Sequence, residues 1–307
     1  MKRILRIGTR ESRLAVWQAN QVRQLLEQQG VGAELVFIKS DGDIDLSTPL
    51  YELGVQGIFT KALDAALLND QIDIAVHSMK DVPTKLAQGL SQAAVLPRAS
   101  YKDLLVLKDN YIFLDDVHAI AVIATSSIRR KAQWLNRFPN HVIENLRGNV
   151  NTRLQKLKDN NWQGAIFAAA GLDRIEIRPE NSLELDWMLP APAQGAIMVA
   201  CRTADTETLE YCNTFNDKTT EVCTRIEREF LRTLMGGCST PISALARMDG
   251  GDMIFEGNLL NLNGRKRIDI KKIVPATACE DLGTTAAEEL IANGGREILA
   301  EIRNAGN

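Results

Sequence analysis

The 307-residue sequence has little of what metal and redox centres are built from. Its three histidines (His77, His118, His141) lie far from its five cysteines (Cys201, Cys212, Cys223, Cys238, Cys279), and no two cysteines form a C-x-x-C pair. That spacing gives no zinc or redox motif. An odd cysteine count argues against a disulfide framework. Long apolar runs are also missing: no segment approaches the ~18 uninterrupted apolar residues of a membrane span. The start, MKRILRIGTRES, has neither the apolar run nor the small-residue cleavage site of a signal peptide. A cytoplasmic protein with no membrane partner is therefore expected. Excess positive charge is absent too. The formal net charge is −3, which sets aside general nucleic-acid binding.

What is present is an ordinary globular composition, 45% hydrophobic and 24% charged, in a chain long enough for two or three domains. The first 200 residues or so repeat a short apolar strand, a polar turn and an amphipathic helix. Strands are expected at Ile4–Gly8, Ala33–Ile38 and Ile72–Val76, with helices at Leu14–Gln28 and Ile58–Leu68. The pattern restarts after Lys102, with strands at Ala119–Ala124, His141–Leu146 and Ala165–Ala169 and helices at Arg129–Phe138 and Thr152–Asn160. This alternation predicts two α/β lobes of about 100 residues, built on parallel sheets covered on both faces. After Ala200 a long helix (Thr219–Leu234), two hairpin-like strands around NLNGR and a final helix from Leu282 to Asn304, interrupted at Gly294-Gly295, predict a small α+β domain.

In open α/β sheets, ligands bind beyond the carboxyl ends of the strands. Here those ends carry hydroxyls and cations: Thr9, Arg10 and Ser12; His77, Ser78, Lys80 and Asp81; Thr125, Ser126, Ser127, Arg129 and Arg130; Arg147, Gly148 and Arg153; and Arg174. In TSSIRR the hydroxyls can cap a helix or donate to an anion, and the arginines add a planar fork suited to carboxylate or phosphate. One such site reads as an ordinary N-cap. Five together predict a cleft for a multiply charged anion. Lys80 and Asp81 are open to three readings: a surface ion pair, a Schiff-base lysine with pyridoxal phosphate, or an anion contact beside a catalytic carboxylate. His77 reads as a structural hydrogen-bonder. Four cysteines read as buried small residues. Cys238, in LMGGCSTPIS, sits on a glycine loop and reads as a reactive thiol. Two functions fit these residues: a hinged anion-binding or effector-sensing protein, or an enzyme acting on a polyanion with Cys238 as an attachment point.

The stretches IGTRESRLAVWQA, GIFTKALDAALL, DIAVHSMKDVP, ATSSIRRKAQ, LRGNVNTRLQKL, AAAGLDR, LPAPAQGA and GGCSTP, in this order over nearly the whole chain, resemble the porphobilinogen deaminase (hydroxymethylbilane synthase) family. The resemblance implies a transferase of tetrapyrrole biosynthesis that joins four porphobilinogen molecules head to tail, with release of four ammonia. The chain grows on a dipyrromethane cofactor, held by a thioether to the cysteine that maps to Cys238. The implied fold is two periplasmic-binding-protein-like α/β lobes with a hinge plus a small α+β C-terminal domain: 1–97 with 196–217, 101–192, and 219–307. Asp81 maps to the catalytic aspartate. Arg10, Ser12, Lys80, Thr125, Ser127, Arg129, Arg130, Arg147 and Arg153 map to cofactor- and substrate-binding positions, as do Gln18, Ser78, Ser126, Gly148, Arg174 and Gln194. No metal and a monomer are implied.

The sequence departs from the family pattern in one loop. Glu52 and Gln56 stand where lysines are common, Asp41 where an arginine is, and Arg13 where a proline is. The segment from about 41 to 57 is therefore expected to act as a mobile lid that does not grip carboxylates.

Overall fold

The computed structural model describes residues 3–40, 60–109, 111–116, 118–235 and 240–305. The expected lid segment with Asp41, Glu52 and Gln56 lies outside them, and so does Cys238. The first sheet contains β1 (Leu5–Thr9), β2 (Ala33–Phe37), β3 (Ile74–Ser78) and β4 (Leu90–Val95). The second contains β5 (Asp103–Leu107), β6 (Val122–Ala124), β7 (Val142–Glu144), β8 (Gly164–Ala168) and β9 (Ser182–Glu184). The chain then returns to the first sheet as β10 (Ile197–Arg202), giving the order β2-β1-β3-β10-β4 beside β7-β6-β8-β5-β9.

The two sheets thus share one layout. Each flanking face carries its own apolar core, because alternate residues of a strand point to opposite sides. In β10, for instance, Ile197, Val199 and Cys201 enter one cluster while Met198 and Ala200 enter the other. Leu104 and Val106 are divided in the same way from Leu105 and Leu107 in β5.

The expectation of parallel sheets needs correction. Both sheets are mixed. β10 runs antiparallel to β3 and β4, and β5 runs antiparallel to β8 and β9. In each sheet the opposed strand is the one that arrives from the other sheet, so its direction is set by the crossing. AIAVIA also yields only a three-residue strand, β6, and leaves Ile120 77% exposed.

The crossing segments are 96–102 and 185–196. They meet where Ala99 N–H donates to Gly195 O at 3.1 Å. Gly195 has φ +88°, and a Cβ there would lie 2.7 Å from Ala99 O and 2.8 Å from Ser100 O. Glycine is the residue that lets two backbones pass this closely.

The C-terminal unit packs the helix Lys218–Thr233 on an antiparallel meander, β11 (Ile242–Asp249), β12 (Asp252–Leu260) and β13 (Arg267–Pro275). Phe230 of the helix meets Phe255 edge-on at 5.1 Å. The final helix breaks where expected, at Gly294 with φ +105°, into Leu282–Leu290 and Arg296–Ala305. Glu227 joins this unit to both crossings. Its buried carboxylate pairs with Arg98 at 2.5 Å and accepts from the N–H groups of Ala193 (2.6 Å) and Ala246 (2.7 Å). Among the described residues no helix is long and apolar enough to cross a membrane.

Candidate active site

The carboxyl ends of the parallel strands and the amino end of β10 face one cleft of about 420 Å³. It brings together Arg10, Ser12, Gln18, Ser78, Lys80, Asp81, Thr125, Ser126, Ser127, Arg129, Arg130, Arg147, Gly148, Arg153, Arg174 and Gln194. Arg13 and Thr60 also line it, Thr60 from the GIFTKALDAALL stretch. Leu231, Thr240 and Ile242, from either side of the glycine-cysteine loop, complete its lining. Among the described lining residues, Asp81 is the single carboxylate against Lys80 and seven arginines (10, 13, 129, 130, 147, 153 and 174).

Several hydroxyls also meet the plainer reading. Ser12 caps the helix Arg13–Gln28 through Ala15 N–H at 3.3 Å, and Ser127 caps the helix Ile128–Arg137 through Arg130 N–H at 3.5 Å. Ser126 is tied to Leu146, donating to its carbonyl and accepting from its N–H. Gln18 donates to Ser78 Oγ at 2.9 Å. In the RGN turn, Gly148 has φ +108°, and a Cβ there would lie 2.8 Å from the Thr152 side chain. Arg153 Nε fastens the turn by donating to Gly148 O at 2.7 Å.

Lys80 and Asp81 ride on a single 3-10 turn, Met79–Asp81, after β3. The turn is held from the C-terminal unit: Arg228 donates to Val82 O at 2.9 Å and Pro83 O at 2.6 Å. Lys80 Nζ donates to Gln194 Oε1 at 3.3 Å. Burial, reinforced by the Arg130 charge and opposed by Asp81 and Asp103, pushes the Lys80 pKa down to about 8. Burial likewise brings Arg153 to about 10, with the Arg130 and Arg147 charges adding to it, and brings Arg174 to about 10. His77 is buried and pushed down to about 4, first by burial and then by Arg10, so it is neutral. Arg174 also bridges the two lobes, donating to Gly195 O at 2.7 Å with its guanidinium 5.6 Å from the Trp17 ring centroid.

The residue that sequence reasoning missed is Asp103. It is 0% exposed and accepts from Arg130 (2.7 Å), Arg129 (2.8 Å) and Gln194 Nε2 (2.8 Å). Burial would raise its pKa, but the Arg129 and Arg130 charges hold it well below the carboxylate range. A signal existed: in SYKDLLVL a charged residue opens an otherwise apolar strand. Such a donor set suits a ligand carrying several carboxylates, as a dipyrromethane does with two acid arms on each ring.

Comparison with known proteins agrees with this chemistry. Residues 5–210 match the porphobilinogen deaminase dipyromethane cofactor binding domain, and residues 221–292 match the porphobilinogen deaminase C-terminal domain. Curated porphobilinogen deaminases from Syntrophotalea carbinolica and Geobacter sulfurreducens are 42% and 40% identical over 302 residues, 97% of this chain and 96% and 94% of theirs. Among solved structures, a methionine-binding protein, MetQ, is 12% identical with a TM-score of 0.44, covering 71% of this chain and 92% of its own. Matched along nearly its full length, the chain belongs to the porphobilinogen deaminase family.

Proposed function

We propose that this chain performs its family's reaction as a transferase. It condenses four porphobilinogen molecules head to tail into hydroxymethylbilane, with loss of four ammonia. One observation carries the reading: a cleft in which, among the described residues, seven arginines and a lysine face a single carboxylate, Asp81. Each pyrrole brings an acetate and a propionate, so a growing chain needs a wall of fixed cations and N–H donors.

In this reading Arg10, Ser12, Lys80, Thr125, Ser127, Arg129, Arg130, Arg147 and Arg153 bind acid arms, and Gln18, Ser78, Ser126, Gly148, Arg174 and Gln194 bind the cofactor and substrate with them. Asp81 accepts hydrogen bonds from pyrrole N–H groups and stabilises the cation left when ammonia departs. The turn that carries Asp81 is pinned by Arg228, so its carboxylate is directed before substrate arrives. A dipyrromethane, when bound, supplies a primer with a free pyrrole α-carbon. Its tether is a thioether to Cys238, and Leu231, Thr240 and Ile242 bring the chain on both sides of that residue to the cleft. The moving parts are 1–97 with 196–217, 101–192 and 219–307, in a cytoplasmic monomer.

Intact-mass measurement with an assay of ammonia release tests the proposal. The purified protein is expected to carry an excess of two linked pyrrole units, lost in Cys238→Ala together with turnover. Active protein of unmodified mass would overturn the covalent tether. No turnover of porphobilinogen, with no added mass, would favour a hinged anion-binding protein instead.

A further inference from the structure

The Asp103 carboxylate has a place in the site that the binding residues alone do not explain. It opens β5, and because β5 runs against its neighbours, its amino end pairs with the carboxyl end of β8, Asp103 opposite Ala168. The carboxylate therefore lies beneath the cleft floor, out of contact with solvent. Arg129 and Arg130 are adjacent and each 5% exposed. Two guanidiniums so placed repel each other unless an anion lies between them.

Asp103 supplies that anion and also fixes direction. Its two oxygens take one Nη from each arginine, while the other Nη groups donate to Leu189 O (2.7 Å) and Ile166 O (2.9 Å). A guanidinium carries five N–H donors, so each fork is held at both tips and keeps further hydrogens for the cleft that it lines. Asp103 Oδ1 also receives Gln194 Nε2, which leaves Gln194 Oε1 turned to Lys80 Nζ. Gln194 Nε2 donates to Tyr101 O at 2.8 Å as well, so Asp103 shares the turning of that amide while one buried carboxylate reaches three cationic groups from both lobes.

We propose that Asp103 is a positioning residue for substrate binding: it orients Arg129 and Arg130 directly, and Lys80 through Gln194, toward the acid arms of the incoming pyrrole. This rests on the deaminase reading. The groups that face Lys80 are Asp81, Asp103, Arg129 and Arg130, so losing the Asp103 charge removes support for the ammonium. A purely structural role would lower thermal stability and leave the affinity of the folded enzyme alone. A positioning role changes KM, and its pH dependence, more than kcat.

The test compares wild type, Asp103→Asn and Gln194→Met by intact mass, thermal melting and ammonia release from porphobilinogen across pH 6.5 to 9. For Asp103→Asn that still loads cofactor, KM is expected to rise roughly ten- to hundredfold, the scale of a lost charge-assisted hydrogen bond. The pH at which KM climbs is expected to fall below its wild-type position near 8. Wild-type KM and pH profile in a folded Asp103→Asn would overturn the proposal. If that variant does not fold, Gln194→Met keeps both Asp103–arginine pairs and severs the path to Lys80. A raised KM with a smaller downward pH shift is then expected, because Nζ loses its Gln194 acceptor but keeps the Asp103 charge, and an unchanged KM and profile overturn the proposal. Wild type that fails to consume porphobilinogen defeats the deaminase reading instead.

Discussion

Asp73 and Asp103 are nearly matched in burial, at 1% and 0% exposed, and each is gripped by arginines. They lie at opposite ends of their sheets. Asp73 precedes β3, away from the cleft, where Arg3, Arg6 and Arg202 converge on it at 2.6, 3.0 and 3.0 Å. Those side chains are 40%, 33% and 19% exposed, and none lines the cleft. The arginines on Asp103 are 6% and 7% exposed in their side chains and line the cleft. At both sites burial alone would raise the carboxyl pKa, and the guanidiniums more than reverse this. The chemistry of the pair is the same; the difference lies in where the remaining N–H groups point. At Asp73 they go to other protein acceptors, Asp205, Asp70 and the carbonyls of Leu67 and Ile72, and the cluster staples the chain start, β1 and the end of β10. At Asp103 they meet a cleft, so the same interaction aims donors at a guest.

The comparison breaks most visibly in stability. Asp73→Ala leaves three arginines with Asp205 and the exposed Asp70 as their remaining carboxylate partners. It is expected to cost roughly 3 kcal/mol, the low end for breaking a buried ion pair because these arginines reach solvent. Urea unfolding measures this, and KM of the folded enzyme should not change. A KM change as large as that of Asp103→Asn would erase the distinction between the two sites. The depressed Asp73 pKa adds a sign. Its stabilisation is complete above the ordinary carboxylate value of about 4 and is lost progressively as pH falls from there toward the depressed value, so the variant should show a shallower acid limb.

A middle-sized effect belongs to the cleft. Lys80 is charged below about 8, so KM for porphobilinogen is expected to climb as pH rises through that value, by roughly tenfold for one lost ionic contact. Lys80→Met should flatten that climb; a climb that persists would place the titrating group elsewhere. The smallest effect sharpens the redundancy of the Asp73 cluster. Arg3→Gln leaves Arg6 and Arg202 in place and removes a side chain 40% exposed, for an expected cost of about 0.5 kcal/mol by thermal melting.

Sequence reading located the cleft residues because it looked beyond the carboxyl ends of strands. Arg10, Lys80, Arg129, Arg147 and Arg174 all follow parallel strands or the short turns after them. The same rule hides Asp103. It assumes that strands run one way, and β5 does not, so its amino end reaches the site. Gln194, just ahead of the reversed β10, stood out through LPAPAQGA alone for the same reason. The strands β4, β5, β9, β10 and β11 were not marked, because their pairing depends on chain crossings and long-range partners that local periodicity does not encode. Arg228 and Glu227 read as ordinary charges of an amphipathic helix. Their partners, Pro83 O and Arg98, lie 145 and 129 residues away.

The glycine at the crossing sets how closely the two connections between the lobes lie. Two chain segments pass at Gly195 with carbonyls where a methyl group would otherwise sit, so the axis between the lobes has no side-chain thickness. Arg174 holds Gly195 O, and its cationic face lies near Trp17 on the other lobe, so one arginine of the cleft lining also touches the place where the chain crosses.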